Sequence, residues 1–164
     1  MGERTGDARR LLSVYLSDHR AGSSGGLALV ARARRSNEGS ELGTYLRTLE
    51  TELIDERAQL EVIAASLGVR LGRWKTVIGR VAVEMGRLKP NGRLVGYSPL
   101  SRVLELEALI AGVTTKKRLW RSLLVAAPTD AIVDATELDR LTAQADEQLE
   151  HLMAHHREAA ALAF

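Results

Sequence analysis

The sequence predicts an all-α protein, and three observations support this class. Hydrophobic residues make up 45% of the 164 residues but only 4% are aromatic, so the core must be aliphatic. Leu and Ala, which favour helices, are abundant, whereas strands favour β-branched and aromatic residues. Apolar residues also recur at three- and four-residue steps in four segments, which is the spacing of one face of an α-helix.

The composition limits the classes of function. The formal charge is only +2, from 23 basic and 21 acidic residues, and does not require a nucleic-acid or membrane partner. Because the chain has no cysteine, it has no disulfide, thiolate metal site or cysteine nucleophile. Charges interrupt every apolar run of "MGERTGDARRLLSVYLSDHR", so we expect neither a signal peptide nor a membrane span. A cytoplasmic protein with a single domain over 1–164 is the simplest expectation.

The first two predicted helices cover about 7–35 and 41–67. The first contains "AGSSGG", which matches neither of the phosphate-binding patterns GxxxxGK[ST] and GxGxxG. We expect the helix to continue through these glycines, whose small size would let a neighbouring helix approach closely; a break near Gly25 and Gly26 is the alternative. "SNEG" separates the two helices, with Ser40 as the expected N-cap of the second and Gly68 as its stop.

The last two predicted helices cover about 98–126 and 129–160. Ser98 is the expected N-cap of the third, with Pro99 at its first helical position. "APTD" ends it, and the fourth starts at Thr129 or at Thr136. A shorter helical pattern over about 72–88 predicts a crossover helix that returns along the bundle. The predicted topology is two helical hairpins joined by this crossover, a four-helix bundle with one long connection.

A polar residue interrupts the apolar face of each long helix. These residues are Asp18, Glu56, Glu107 and Gln148. Counted from hairpin turns expected near residues 37 and 127, all four lie at similar heights, so they are expected to meet in the core. Glu52 and Glu105 are the alternative inward acids on the second and third helices.

Three carboxylates that meet in an apolar core need a bound cation, shared protons or basic partners. Iron or manganese would meet this need, since carboxylate and imidazole suit these metals. His151 follows Gln148 by three residues, a spacing that places both side chains on one face of a helix. The pattern therefore predicts a metal site in the core.

In topology and in this ligand layout, the chain resembles the ferritin-like superfamily over nearly its whole length. Those proteins typically supply one Glu from the first and third helices and Glu-x-x-His from the second and fourth. The resemblance implies a di-metal site formed by Asp18, Glu56, Glu107, Gln148 and His151. The second helix departs from the pattern, because "ERAQ" puts Gln59 at the expected His. The resemblance thus implies an incomplete di-iron or manganese site with metal-assisted redox chemistry.

Two other hypotheses remain open. The acids could form a buried polar network neutralised by Arg20, Arg57 or His19; a non-enzymatic bundle would then act through partner binding or self-assembly. The predicted crossover has seven basic residues against one acid, Glu84, which indicates either nucleic-acid association or a solvated cationic face. The seven are Arg70, Arg73, Lys75, Arg80, Arg87, Lys89 and Arg93.

Overall fold

The computed structural model of the chain describes residues 2–72, 97–126 and 133–164. These residues form four α-helices and no strand: α1 (Gly2–Ser36), α2 (Glu41–Ser66), α3 (Pro99–Ala126) and α4 (Ala135–Ala163). The all-α prediction is confirmed for this part of the chain. The predicted crossover helix over about 72–88 lies outside it, apart from Gly72, which is not helical.

The first hairpin has the boundaries that its capping residues predict. Helix α1 continues without a break through the glycine run. The turn that joins α1 to α2 contains Gly39 with φ +81°. The Ser40 hydroxyl accepts a hydrogen bond from the Gly43 amide at 3.1 Å and so caps α2. Gly68, with φ +63°, follows α2 and donates its amide to the Ala65 carbonyl, as glycine commonly does at a helix end.

The second hairpin matches one predicted boundary and corrects another. The Ser98 hydroxyl accepts a hydrogen bond from the Ser101 amide at 3.1 Å, with Pro99 as the first helical residue. Helix α4 begins at Ala135 and not at Thr129, because the Asp134 carboxylate caps it by accepting the Thr136 amide at 2.9 Å. The later of the two predicted starts was therefore correct to within one residue.

Side-chain contacts define the directions of the helices. Arg20 pairs with Glu61 and Arg34 with Glu50 across α1 and α2, which are therefore antiparallel. Lys117 pairs with Asp146 and Glu107 with His156 across α3 and α4, and Tyr15 contacts Ser122 while Arg32 contacts Glu105 across α1 and α3. These pairs are antiparallel as well. Helices α2 and α3 consequently run in the same direction.

The two residues that flank the segment 73–96 lie far apart. The Gly72 amide donates to the Ser17 hydroxyl on α1. The Tyr97 hydroxyl accepts a hydrogen bond from the Asn37 side chain, just beyond the end of α1. Ser17 and Asn37 are separated by about 30 Å along the α1 axis, at about 1.5 Å per residue. A tight turn cannot join α2 to α3.

The core consists of two apolar clusters. The first lies on the side of the α1–α2 turn and includes Leu46, Leu49 and Leu106. The second includes Leu16 and Trp120, both of which are buried. On α2 and α3, the change from one cluster to the other comes at Glu56 and Lys116. A polar layer thus separates two aliphatic halves.

Within the described part of the chain, Gly22 and Gly26 of α1 make no close helix contact of the kind that we expected. A Cβ added to Gly22 or Gly26 would meet no atom within 4 Å in the described part of the chain. The close approach is at Gly43 instead, where an added Cβ would lie 2.1 Å from the Asn37 carbonyl oxygen. Among α1–α4, no helix is long and apolar enough to cross a membrane.

Candidate functional site

The structure brings together two of the five predicted metal ligands. Glu56 and Gln148 meet in the core, and each is only 3% exposed. Asp18, Glu107 and His151 lie on the surface instead. This placement contradicts the expectation that Asp18, Glu56, Glu107 and Gln148 meet at one height in the core.

The physical reason lies in helix rotation and in the position of the second turn. The inward acid of α3 is Glu105, 1% exposed, and Glu107 two residues later points outward because successive helical residues are 100° apart. Glu107 contacts His156, whereas Gln148 contacts Lys116. The level of Gln148 is therefore nine residues, or about 13 Å, along α3 from Glu107.

Asp18 faces outward for the same reason. Leu16, two residues before it, is fully buried against the second apolar cluster. Residues two positions apart in a helix are separated by about 200° around its axis, so Leu16 and Asp18 cannot both point into the core. The apolar face of α1 follows Leu12 and Leu16, and Asp18 lies on the opposite face.

Lys116 of α3 supplies the cation that the buried acids need. Its ammonium donates hydrogen bonds to Glu56 Oε2 and Gln148 Oε1. The Gln148 amide nitrogen donates to Glu52 Oε2 at 2.8 Å and to Glu56 Oε1 at 3.0 Å. We call Glu52, Glu56, Lys116 and Gln148 the Lys116 layer. Both oxygens of Glu56 and both polar atoms of the Gln148 amide have a partner within it.

Burial and charge act in opposite directions within the layer. Burial raises the pKa of Glu56, and the neighbouring Lys116 ammonium opposes that rise. Burial also lowers the pKa of Lys116, which the carboxylates of Glu56 and Glu52 oppose. Each charge therefore stabilises the other, as an isolated charge in this core could not persist.

His151 lies beside the layer without joining it. The Tyr45 hydroxyl donates a hydrogen bond to the Gln148 carbonyl at 3.1 Å. The Tyr45 ring centroid is 5.3 Å from those of both His151 and His155. Burial raises the pKa of Tyr45, so its hydroxyl remains a neutral donor. These three rings fill the outer part of the space between α2 and α4.

Glu105 belongs to a second polar network at the α1–α2 turn. The Tyr97 hydroxyl donates to Glu105 Oε2 at 2.8 Å and accepts from Asn37 Nδ2 at 2.9 Å. Arg32 Nε lies 2.9 Å from Glu105 Oε1. Burial raises the pKa of Glu105, and it raises that of Tyr97 to about 12. The two buried acids therefore have separate cations: Arg32 lies beside Glu105, and Lys116 lies beside Glu56. Glu105 and Lys116 are about 16 Å apart along α3.

Lys116 was not predicted as a site residue, although the sequence contains a signal for it. It follows the buried Val113 by three residues and precedes the buried Leu119 by three, so it lies on the apolar face of α3. Two of the expected neutralising residues, Arg20 and Arg57, pair with Glu61 near the surface. The third expected residue, His19, packs against the Tyr15 ring, and burial lowers its pKa.

The residues present do not fit the expected di-metal centre. In residues 2–72, 97–126 and 133–164, no group of three or more His, Cys, Asp or Glu side chains is arranged to hold a metal ion. Between Glu56 and Gln148, the position that a cation would take is filled by the Lys116 ammonium. Asp18, Glu107 and His151 are exposed and make no contact with Glu56 or Gln148 in the described part of the chain.

The predicted basic surface is described only at one end. Arg70 is exposed, and Arg73, Lys75, Arg80, Arg87, Lys89 and Arg93 lie outside the described residues.

Comparison of the chain with protein-family models, curated proteins and solved structures gives no match. The functional assignment therefore depends on the geometry of the four helices.

Proposed function

We propose that the protein is a ferritin-like bundle that works without a core metal, as a non-enzymatic protein that self-associates. The position of Lys116 carries this proposal. Its ammonium neutralises Glu56 and occupies the oxygen-lined position where a catalytic cation would have to bind. Both oxygens of Glu56 are bonded within the chain, which leaves no open coordination position for redox chemistry at this acid.

The helix directions support the ferritin-like part of the proposal. Helices α1 and α2 are antiparallel, as are α3 and α4, while α2 and α3 run in the same direction. A bundle of this kind needs one long connection between its second and third helices, which is the connectivity of ferritin-like folds. The 24 residues of 73–96 stand at that place in the chain.

An exposed apolar row on α2 supports self-association. Ile54 and Val62 are 52% and 62% exposed, and Ala58 and Ala65 are exposed on the same outer face. Large and small side chains alternate along the row. If a second α2 packs antiparallel to the first, Ile54 lies opposite Ala65 and Ala58 lies opposite Val62, so each large side chain meets a small one. Such a two-fold contact is self-complementary, as closed dimers require.

Metal analysis tests the metal-free core. We expect the full chain, purified without added metal, to contain no stoichiometric iron or manganese, and incubation with Fe(II) or Mn(II) to leave its unfolding temperature unchanged. Glu56→Ala is the matched variant. One or two metal ions per chain that are lost in Glu56→Ala would overturn the proposal.

Light scattering after size exclusion tests self-association. We expect a mass above the 17.9 kDa of a single chain at micromolar concentration, and a single-chain mass for the Ile54→Glu, Val62→Glu double variant, since buried charges oppose apolar contact. Ala143→Glu is the control, because Ala143 is exposed on α4 and does not belong to the row on α2. A wild-type protein that stays at the mass of one chain would contradict self-association.

A further inference from the structure

The oxygens of the Lys116 layer are arranged around a cation. Glu56 Oε2 and Gln148 Oε1 come from two different helices, and both accept hydrogen bonds from the same ammonium. Glu52 adds a second negative charge near that ammonium, and its carboxylate is held in place by the Gln148 amide nitrogen. One carboxylate oxygen and one amide oxygen thus contact the ammonium directly, and the Glu52 carboxylate lies beyond them, bonded to the Gln148 amide nitrogen.

Loss of the ammonium would leave this arrangement with uncompensated charge. Glu56 is 3% exposed, and it shares the Gln148 amide nitrogen with Glu52. The buried Glu56 carboxylate would then lie beside the half-buried Glu52 carboxylate without a counter-charge, and the two would repel each other. Shortening the lysine to alanine also removes the side chain that fills the space between the oxygens.

We propose that Lys116 is a built-in counter-ion, and that the oxygens of Glu52, Glu56 and Gln148 form a site for one divalent cation when its side chain is removed. Carboxylate and amide oxygens favour hard cations, of which Mn²⁺ is a convenient representative. The inference rests on the metal-free core proposed above, in which the native ammonium supplies the charge that a metal would otherwise provide.

Mn²⁺ binding to Lys116→Ala tests the inference. The signal of free Mn²⁺ in electron paramagnetic resonance decreases on binding, and we expect Lys116→Ala to bind about one Mn²⁺ per chain with a rise in unfolding temperature. Lys117→Ala is the matched control, because Lys117 is next to Lys116 in the sequence but pairs with Asp146 instead of Glu56. We expect the control to bind no more Mn²⁺ than the wild type.

The Lys116→Ala, Glu56→Gln double variant identifies the ligands, since loss of one carboxylate should abolish the binding. A folded Lys116→Ala that binds no more Mn²⁺ than Lys117→Ala would overturn the inference and leave the metal-free core intact. Mn²⁺ binding by the wild type itself would instead overturn the metal-free core. Lys116→Ser is the second variant if Lys116→Ala does not fold. Failure of both to fold even with Mn²⁺ also counts against the inference, because the bound cation should neutralise the acids.

Discussion

Two neighbouring lysines of α3 have different partners, although their side chains are similarly exposed, at 15% for Lys116 and 21% for Lys117. The Lys116 side chain is bonded to Glu56 and Gln148 within the bundle. The Lys117 side chain pairs with Asp146, whose own side chain is 53% exposed. A rotation of 100° per residue is enough to move a lysine from the outside of a helix to its inner face. The same residue type therefore has two different roles at adjacent positions.

Substitution by methionine should distinguish these two roles. We expect Lys116→Met to lower the free energy of unfolding by about 3–5 kcal/mol, because Glu56 loses its cation in the core. Lys117→Met should cost less than about 1 kcal/mol, as is usual for an exposed ion pair. Urea denaturation followed by circular dichroism measures both values. Equal losses for the two variants would contradict the assignment of Lys116 to the core.

Glu105 should make stability depend on pH in a defined direction. Burial raises its pKa above 4.5 in the folded state. Its contribution to stability is therefore complete below pH 4.5 and is lost as the pH rises through the raised pKa. We expect Glu105→Gln to gain stability relative to the wild type over this rise, and the difference to become constant above it.

Denaturation at a series of pH values checks the Glu105 prediction. The control is Glu147→Gln, which removes an exposed carboxylate from α4. A wild-type protein that gains stability over Glu105→Gln as the pH rises would show the opposite sign and would mean that Arg32 and Tyr97 outweigh burial.

At the scale of the helix, α1 contains interior glycines that alanine could replace. Gly22 and Gly26 are interior helical residues where an added Cβ would meet no described atom. Alanine is favoured over glycine at such positions, so we expect Gly22→Ala and Gly26→Ala each to raise the free energy of unfolding by about 0.5–1 kcal/mol. Gly43→Ala should lower it, since its Cβ would lie 2.1 Å from the Asn37 carbonyl oxygen. Thermal and urea denaturation measure all three, and a destabilised Gly26→Ala would contradict the open space beside α1.

Helix ends could be predicted well from the sequence because they depend on local interactions. Ser40 and Ser98 each accept an amide three residues later, and Gly68 adopts the left-handed conformation that it tolerates better than other residues. The rotation of a helix was harder to predict. On α3, Glu105 and Glu107 are surrounded by apolar residues, and only packing against α1 determines that Glu105 points inward.

The relative heights of side chains were also beyond the sequence. Height depends on which residues of two helices lie side by side, and residues of the turn shift that pairing. The partner of Gln148 is Lys116 and not Glu107, a difference of nine residues along α3. The prediction of a polar centre was correct for Glu56 and Gln148, whereas the identity of its cation required the packed structure.

At the scale of the whole bundle, the Lys116 layer separates the two apolar clusters of the core. Replacement of Glu56, Lys116 and Gln148 together should not destabilise the protein. We expect the Glu56→Leu, Lys116→Met, Gln148→Leu triple variant to unfold with a free energy equal to that of the wild type or about 1–4 kcal/mol higher, because apolar packing avoids the desolvation of two charges. Urea denaturation measures this. A triple variant less stable than the wild type would contradict the prediction.

The division of the core into two apolar clusters has a consequence for the alignment of the helices. Leucines recur along every helix, so aliphatic contacts alone would tolerate a slide of α3 by one turn, about 5.4 Å, past its neighbours. Such a slide would place the Lys116 ammonium beside leucine side chains and would break its ion pair with Glu56, which would then be buried without a cation. The Lys116 layer thus fixes the register of the helices, because apolar packing alone would be nearly equal for several alignments.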